Sequence, residues 1–234
     1  MGVTIENIIN GQTRRLEEFI QLFLELFPQY AGSVERLRMK ANLPENSNPN
    51  FIAHQWLVEV DGQAVGMTSF KYSPARELGL TVYVGVRPDF RGYEIDGRRF
   101  SEWLIRASMR QIQADAQKSG HGLPAGLCFE VEPAHLLSRY RQFGFEEFPL
   151  EYYEPLFARA RQGWIVSDFK QVNFQRRFLG YFPLLPVKNE PVTPDLLNRV
   201  IMMFYKDHYG IREDHPMLQR VLTSIRPLTL EGEK

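Results

Sequence analysis

Arg91, Arg98 and Arg99 lie around Gly92 and Gly97, between an alternating run that ends at Val86 and a helical pattern that opens near Gly97. This grouping brings cations and backbone N–H groups to one helix start. Such a start presents unpaired donors and the positive end of the macrodipole, and both favour an anion such as a pyrophosphate. A second reading stays open, in which Glu94 and Asp96 neutralise the arginines and no ligand is involved. Further on, Glu130 and Glu132 share one face of a strand that Pro133 ends. One carboxylate there, with its pKa raised by burial, could take a proton directly or through water. The alternative is a solvated strand face. Tyr83, His54 and Glu25 are further candidates for a base, which the sequence does not rank. Asp207-His208 and Asp214-His215 suit helix ends better than a metal site, with Asp214 as a cap, because their spacing matches no zinc arrangement.

The elements that must position these groups follow from periodicity. Leu80, Val82, Val84 and Val86 alternate with Thr81, Tyr83 and Gly85, which predicts a strand. Phe100, Leu104 and Ile112 have helical spacing, which predicts a helix that fades near Lys118. Upstream, a strand over Val3 to Ile9, a helix from Arg14 to Leu26 capped by Thr13, and a short helix from Ser33 to Lys40 are expected. His54 to Val60 and Ala64 to Tyr72 form a hairpin at Asp61-Gly62. Downstream come a strand over Leu127 to Val131, a helix from His135 to Gln142 closed by Gly144, and aromatic strand material from Phe145 to Tyr153. Beyond Leu156 the texture is less periodic until Thr193-Pro194-Asp195 opens a helix that Gly210 ends, followed by a last helix from His215.

With 28 basic and 28 acidic residues, the chain offers no electrostatic argument for a nucleic-acid or membrane-surface partner. Its single cysteine, Cys128, excludes an internal disulfide and suits a reducing compartment. The N-terminal stretch has no secretory pattern, and no uncharged apolar run approaches the ~18 residues that span a bilayer. A soluble, cytoplasmic protein is expected.

Two pieces in the right order resemble one family. VRPDFRG followed by a helix, and RYRQFGF after a later strand, are similar to motifs of the GNAT superfamily of acyl-CoA-dependent N-acyltransferases. Val86, Pro88, Arg91 and Gly92 match the first piece; Tyr140, Gly144 and Phe145 match the second, with Arg139 replacing an aromatic. The likeness covers roughly residues 1 to 155. In an ungapped reading Glu94 and Asp96 fall on glycine positions; with one extra residue in the loop Gly97 becomes the final glycine, Asp96 a candidate cap, and the helix stripe stays in phase. Pro133 stands where an asparagine is usual.

The resemblance implies an α/β (α+β) fold with a GNAT-like mixed, mostly antiparallel sheet flanked by helices over residues 1–155. A partly helical extension over 156–234 would pack on that core. It implies acetyl-CoA as acyl donor, held by backbone groups of Val84, Gly85 and Val86 and by Arg91, Gly92, Tyr93, Gly97 and Arg98. Gly85 inside a strand fits a bulge or close backbone approach, and equally a packing position. Tyr140 matches the frequent general acid toward the CoA sulfur, since a phenol keeps its proton at neutral pH; the other reading is an aromatic core residue. Glu130 is the base candidate. The implied reaction is transfer of an acetyl group to a primary amine of a small molecule or peptide, without a metal; a homodimer is an open option. The alternative is a binding module that keeps the fold without catalysis.

Overall fold

The computed structural model describes residues 2–9, 15–43, 48–132, 134–156, 172–184 and 192–225. Thr13 and Pro133 therefore lie outside the described residues. The fold is mixed α/β, with a mostly antiparallel sheet flanked by helices. The chain divides into two compact units, Met1–Leu127 and Cys128–Lys234, whereas the sequence alone places a boundary after residue 155. Among the described residues no helix is long and apolar enough to cross a membrane.

The first unit runs β1 (Val3–Asn7), α1 (Leu16–Leu26), a 3-10 turn (Pro28–Ser33), α2 (Val34–Asn42), β2 (Ile52–Val60), β3 (Gln63–Ser73), β4 (Leu78–Val86), β5 (Glu94–Ile95), β6 (Arg98–Arg99) and α3 (Phe100–Lys118). Strands β1 to β4 pair in sequence order, each antiparallel to the next. The β2–β3 turn is Asp61-Gly62, with φ of 50° and 82°, the pair of positive values that a type I′ hairpin needs. Ten of the eleven residues of β3 are buried, so both of its faces are covered. Met67 joins Phe19, Ile20, Phe23 and Leu57 in the cluster under α1, while the neighbouring Gly66 lies against Phe100 of α3. Adjacent strand residues point to opposite faces, so α1 and α3 cover opposite sides of this sheet.

One expectation fails here. The segment after β4 does not run from Gly97 into a helix; Glu94 pairs with Arg99 and Ile95 with Arg98 in a small hairpin whose turn is Asp96-Gly97, at φ 52° and 70°. Asp96 therefore sits in a turn and does not cap α3, which begins at Phe100 after an extended Arg99. Its carboxylate accepts instead from Trp103 Nε1 at 3.3 Å.

The second unit runs β7 (Gly126–Val131), α4 (Ala134–Gln142), β8 (Glu146–Glu147), β9 (Tyr152–Leu156), β10 (Asn173–Pro183), α5 (Pro194–Met202), a π-helical turn (Met203–His208) and α6 (Pro216–Ile225). The aromatic strand material expected from Phe145 to Tyr153 holds one short strand and the start of another, and the less periodic stretch after it holds, among the described residues, the longest strand of this unit. Strand β10 pairs antiparallel with β9 through Asn173 to Arg177 and with β8 through Gly180 and Tyr181; β7 is its other neighbour. Phe129, Tyr140, Phe145 and Phe182 stack edge-on around one another between β7, α4 and β10, with ring centroids 5.2 to 6.4 Å apart. Such tilted and edge-to-face pairs are the favoured arrangement of aromatic quadrupoles. Thr193 caps α5 by accepting from Leu196 N–H at 3.1 Å, with Pro194 at the first position. Asp214 does not cap α6: it pairs with Arg212, and the His215 ring accepts from Met217 N–H at 3.1 Å.

Candidate functional site

In the first unit the candidate donor-holding residues follow one another along β4 and its loop. Leu78 to Thr81 are buried, whereas Val82 to Gly85 are half-buried, so the second half of β4 is open to contact. A bulge marks the change: Ser69 pairs with Tyr83 and Phe70 with Thr81, which leaves Val82 unmatched. Gly85 also has a packing role, since a Cβ there would stand 2.9 Å from Leu26 Cδ1 and from Phe27 Cζ. The loop then leaves through a 3-10 turn, Pro88–Phe90, and Arg91 Nε donates to the Val86 carbonyl at 3.1 Å, tying the loop back to the strand end. Gly92 is exposed with open space where a side chain would be, and Tyr93 stacks beside Phe90 at 4.9 Å. The Tyr93 carbonyl accepts from Phe100 N–H at 2.9 Å, so that first helical donor is already used.

What remains at the start of α3 still suits an anion. Arg98 and Arg99 are exposed, and the nearest carboxylate to Arg98 is Glu102 at a loose 3.8 Å. Ser101 and Glu102 occupy the following positions of the first turn, whose N–H groups have no partner inside a helix. Glu94 is the register partner of Arg99 across the hairpin.

In the second unit the structure surrounds Glu130. Tyr152 donates to Glu130 Oε1, and Tyr209 donates to Glu130 Oε2 at 2.5 Å. The carboxyl is half-buried one residue before the end of β7, and burial, then the nearby Glu154, pushes its pKa up to about 8; the two phenols and Arg177 pull the other way. Desolvation of the charged form outweighs the hydrogen bonds to it. Arg177, with 5% of its side chain exposed, donates to Glu154 at 2.7 Å and to Glu132 at 3.1 Å. Glu132 itself is exposed, so the two carboxylates of this strand face have different surroundings. Tyr205 donates to the Tyr153 carbonyl at 2.6 Å and fixes the neighbouring turn.

Neither phenol was legible from sequence. Tyr152 sits in a region read only as aromatic strand material, and Tyr209 reaches Glu130 because the π turn before it alters the helix phase. Such turns are rare and recur at functional sites.

Tyr140 lies in the same unit, with its ring in the aromatic cluster and 9% of its surface exposed. Burial pushes its pKa up to about 12, which makes it a weaker acid than a free phenol. The remaining candidates are occupied. Tyr83 donates to Ser33 and accepts from Arg36, each at 3.1 Å. Glu25 accepts from Arg87 at 2.8 Å. His54 shares a 2.8 Å bond with Asp115 in the interior. Cys128 is fully buried, and burial pushes its thiol well up.

No family model matches the chain, and no curated protein matches it. Among solved structures the chain is similar in fold to acetyltransferases, several of them named as members of the GNAT family. One, from Bacillus subtilis and in complex with CoA, is 16% identical with a TM-score of 0.45, covering 79% of this chain and all of that one. A second, a GNAT family acetyltransferase from Elizabethkingia anophelis with acetyl-CoA bound, is 14% identical with a TM-score of 0.44, covering 78% of this chain and 98% of that one. A third, from Streptococcus pneumoniae, is 14% identical with a TM-score of 0.46, covering 76% and 97%.

Proposed function

We propose that the chain is an acyl-CoA-dependent N-acyltransferase that moves an acetyl group from acetyl-CoA to a primary amine. The observation that carries this reading is the half-buried Glu130, which holds its proton to about pH 8 on the strand between the VRPDFRG and RYRQFGF pieces. Its ionised form, which gains population as pH approaches 8, is suited to accept the proton that the amine gives up as it attacks the thioester. Acetyl-CoA supplies an activated thioester; Val84, Gly85 and Val86 bind its acyl-pantetheine arm through backbone groups, and Arg98, Arg99 and the first turn of α3 hold its phosphates. Tyr140 returns a proton to the departing sulfur.

Calorimetry with acetyl-CoA, followed by thiol release with a panel of amines, tests the whole reading. Binding with release of free CoA is the expected result, and failure to bind acetyl-CoA overturns it. An Arg98→Glu chain is expected to bind acetyl-CoA about tenfold more weakly, since one cation near a phosphate becomes an acid. Its melting temperature should not move, because Arg98 is exposed and only loosely paired; an unchanged dissociation constant would remove the loop from the site. For Tyr140→Phe, turnover should fall by about 10²-fold with donor affinity intact. Full turnover in that variant would return Tyr140 to the aromatic core alone.

One observation favours a second reading, a GNAT-fold module that binds without catalysis: the Glu94–Arg99 hairpin places a carboxylate beside the start of α3. Tight acetyl-CoA binding without thiol release against every amine would decide for it.

A further inference from the structure

A cavity of about 440 Å³ opens in the first unit between the start of β2 and the C-terminal half of α3. The rings of Pro49, Phe51 and Pro74 give it apolar walls, while His54 and Asp115, 7% and 5% exposed, lie at its floor. Lys118 stands exposed at the mouth. Because Phe100 and Lys118 are the two ends of α3, the mouth is about 27 Å along the helix axis from the arginines at its start. The cavity is therefore remote from the candidate donor-holding residues.

Three of the lining side chains form one hydrogen-bonded chain. His54 Nε2 lies 2.8 Å from Asp115 Oδ2, and Gln111 Nε2 donates to Asp115 Oδ1 at 2.9 Å. A carboxylate only accepts, so His54 turns an N–H toward Asp115, and the Gln111 amide turns its Nε2 to the acid and its Oε1 away. Stacking on Phe70, with centroids 4.8 Å apart, holds the imidazole in place. His54 Nδ1 is buried and has no hydrogen-bond partner among the described residues. A buried polar chain with one bond unmade is less stabilising than an apolar filling of the same shape, so packing alone does not account for it. What the chain achieves is to orient one acceptor in the lining, Gln111 Oε1. Donors gather toward the mouth. Lys118 forms no ion pair among the described residues, and Asn48, whose Oδ1 accepts from Asn50 N–H at 2.9 Å, keeps its amide donors for another partner.

We propose that this cavity is a binding site for a small aromatic acid bearing a hydroxyl group. The ring packs against Phe51 and the two prolines, the hydroxyl donates to Gln111 Oε1, and the carboxylate meets the Lys118 ammonium and the Asn48 amide. Both oxygens of Asp115 are already engaged by donors, which tempers its repulsion of the incoming acid. The inference stands whether or not the chain transfers acetyl groups.

The test is calorimetry and NMR titration of the full chain with 4-hydroxybenzoate as probe. Saturable binding is expected, with shifts centred on Phe51, Gln111 and Lys118. Benzoate, which lacks the hydroxyl, and phenol, which lacks the carboxylate, should each bind about tenfold more weakly. Gln111→Leu should cancel the difference between the probe and benzoate, and Lys118→Gln the difference between the probe and phenol. Ala114→Phe fills the cavity from an exposed position, so it should abolish binding while the melting temperature stays unchanged. Failure of the wild-type chain to bind the probe, equal affinity for all three compounds, or full binding by a folded Ala114→Phe chain would each overturn the proposal. Displacement of the probe by acetyl-CoA would overturn it too, by placing the probe in the donor site.

Discussion

Glu130→Gln is expected to slow acetyl transfer by about 10² to 10³-fold, the range that a positioned general base contributes, while acetyl-CoA affinity stays unchanged. The glutamine keeps the shape and an acceptor for one phenol but cannot take a proton. The pH profile separates a catalytic role from a structural one. With the wild-type carboxyl titrating near 8, kcat/KM should rise from pH 6 to a shoulder near pH 8, and the variant should lack that shoulder. Stability moves in the opposite sense. The folded carboxyl keeps its proton to about 8 while the unfolded one releases it near 4.5, so the folded state binds more protons between those values. That contribution is complete below about 4.5 and is lost as pH rises through 8, and Gln at this position should flatten the decline. A variant with wild-type turnover and a wild-type pH profile would leave Glu130 as a buried structural acid.

Gly180→Ala should give the largest loss of stability, about 3 kcal/mol, at the top of the range for overpacking. A Cβ there would overlap the Glu146 carbonyl oxygen, stand 2.6 Å from Phe145 Cζ and come within 2.9 Å of Glu147 Cα. Two of these atoms are main chain of the paired strand β8, held by the Gly180–Glu147 and Tyr181–Glu146 register, so neither can turn aside. Gly79→Ala is the control. Its Cβ would crowd the ends of the Ile112 and Leu127 side chains, which can change rotamer, and a smaller loss is expected. Equal denaturation midpoints for the two variants would refute the distinction.

Much of the first unit is legible from residue order because its signals are local. Asp61-Gly62 between two alternating runs can hardly be anything but a hairpin, and the helix stripe that begins at Phe100 ends at Lys118 as its spacing indicates. Thr193-Pro194-Asp195 reads as a helix start by capping chemistry alone. The Asp96-Gly97 turn was missed because its flanking strands are two residues long and have no alternation of their own. Strand β10 was missed for a different reason. Arg177 reads as a solvent-facing residue, yet it is 8% exposed and held by Glu132 and Glu154, far away in sequence. The candidate site divides along the same line. Glu130 could be named from its strand, but whether it was solvated or desolvated depended on Tyr152, Tyr209 and Glu154, which only tertiary structure supplies.

The π turn over Met203–His208 has one more consequence, for how this protein tolerates length changes. A π turn carries one residue more than the α-helical turn it replaces. Removing any one of those six residues would let α5 continue as a regular helix and rotate Tyr209 by roughly 100° about the axis. The hydroxyl would then leave Glu130 although no side chain in contact with the carboxyl had been substituted. The proton affinity of this acid is thus encoded partly in the count of residues in a helix remote from it in sequence, and a deletion scan there would read it more cleanly than any substitution.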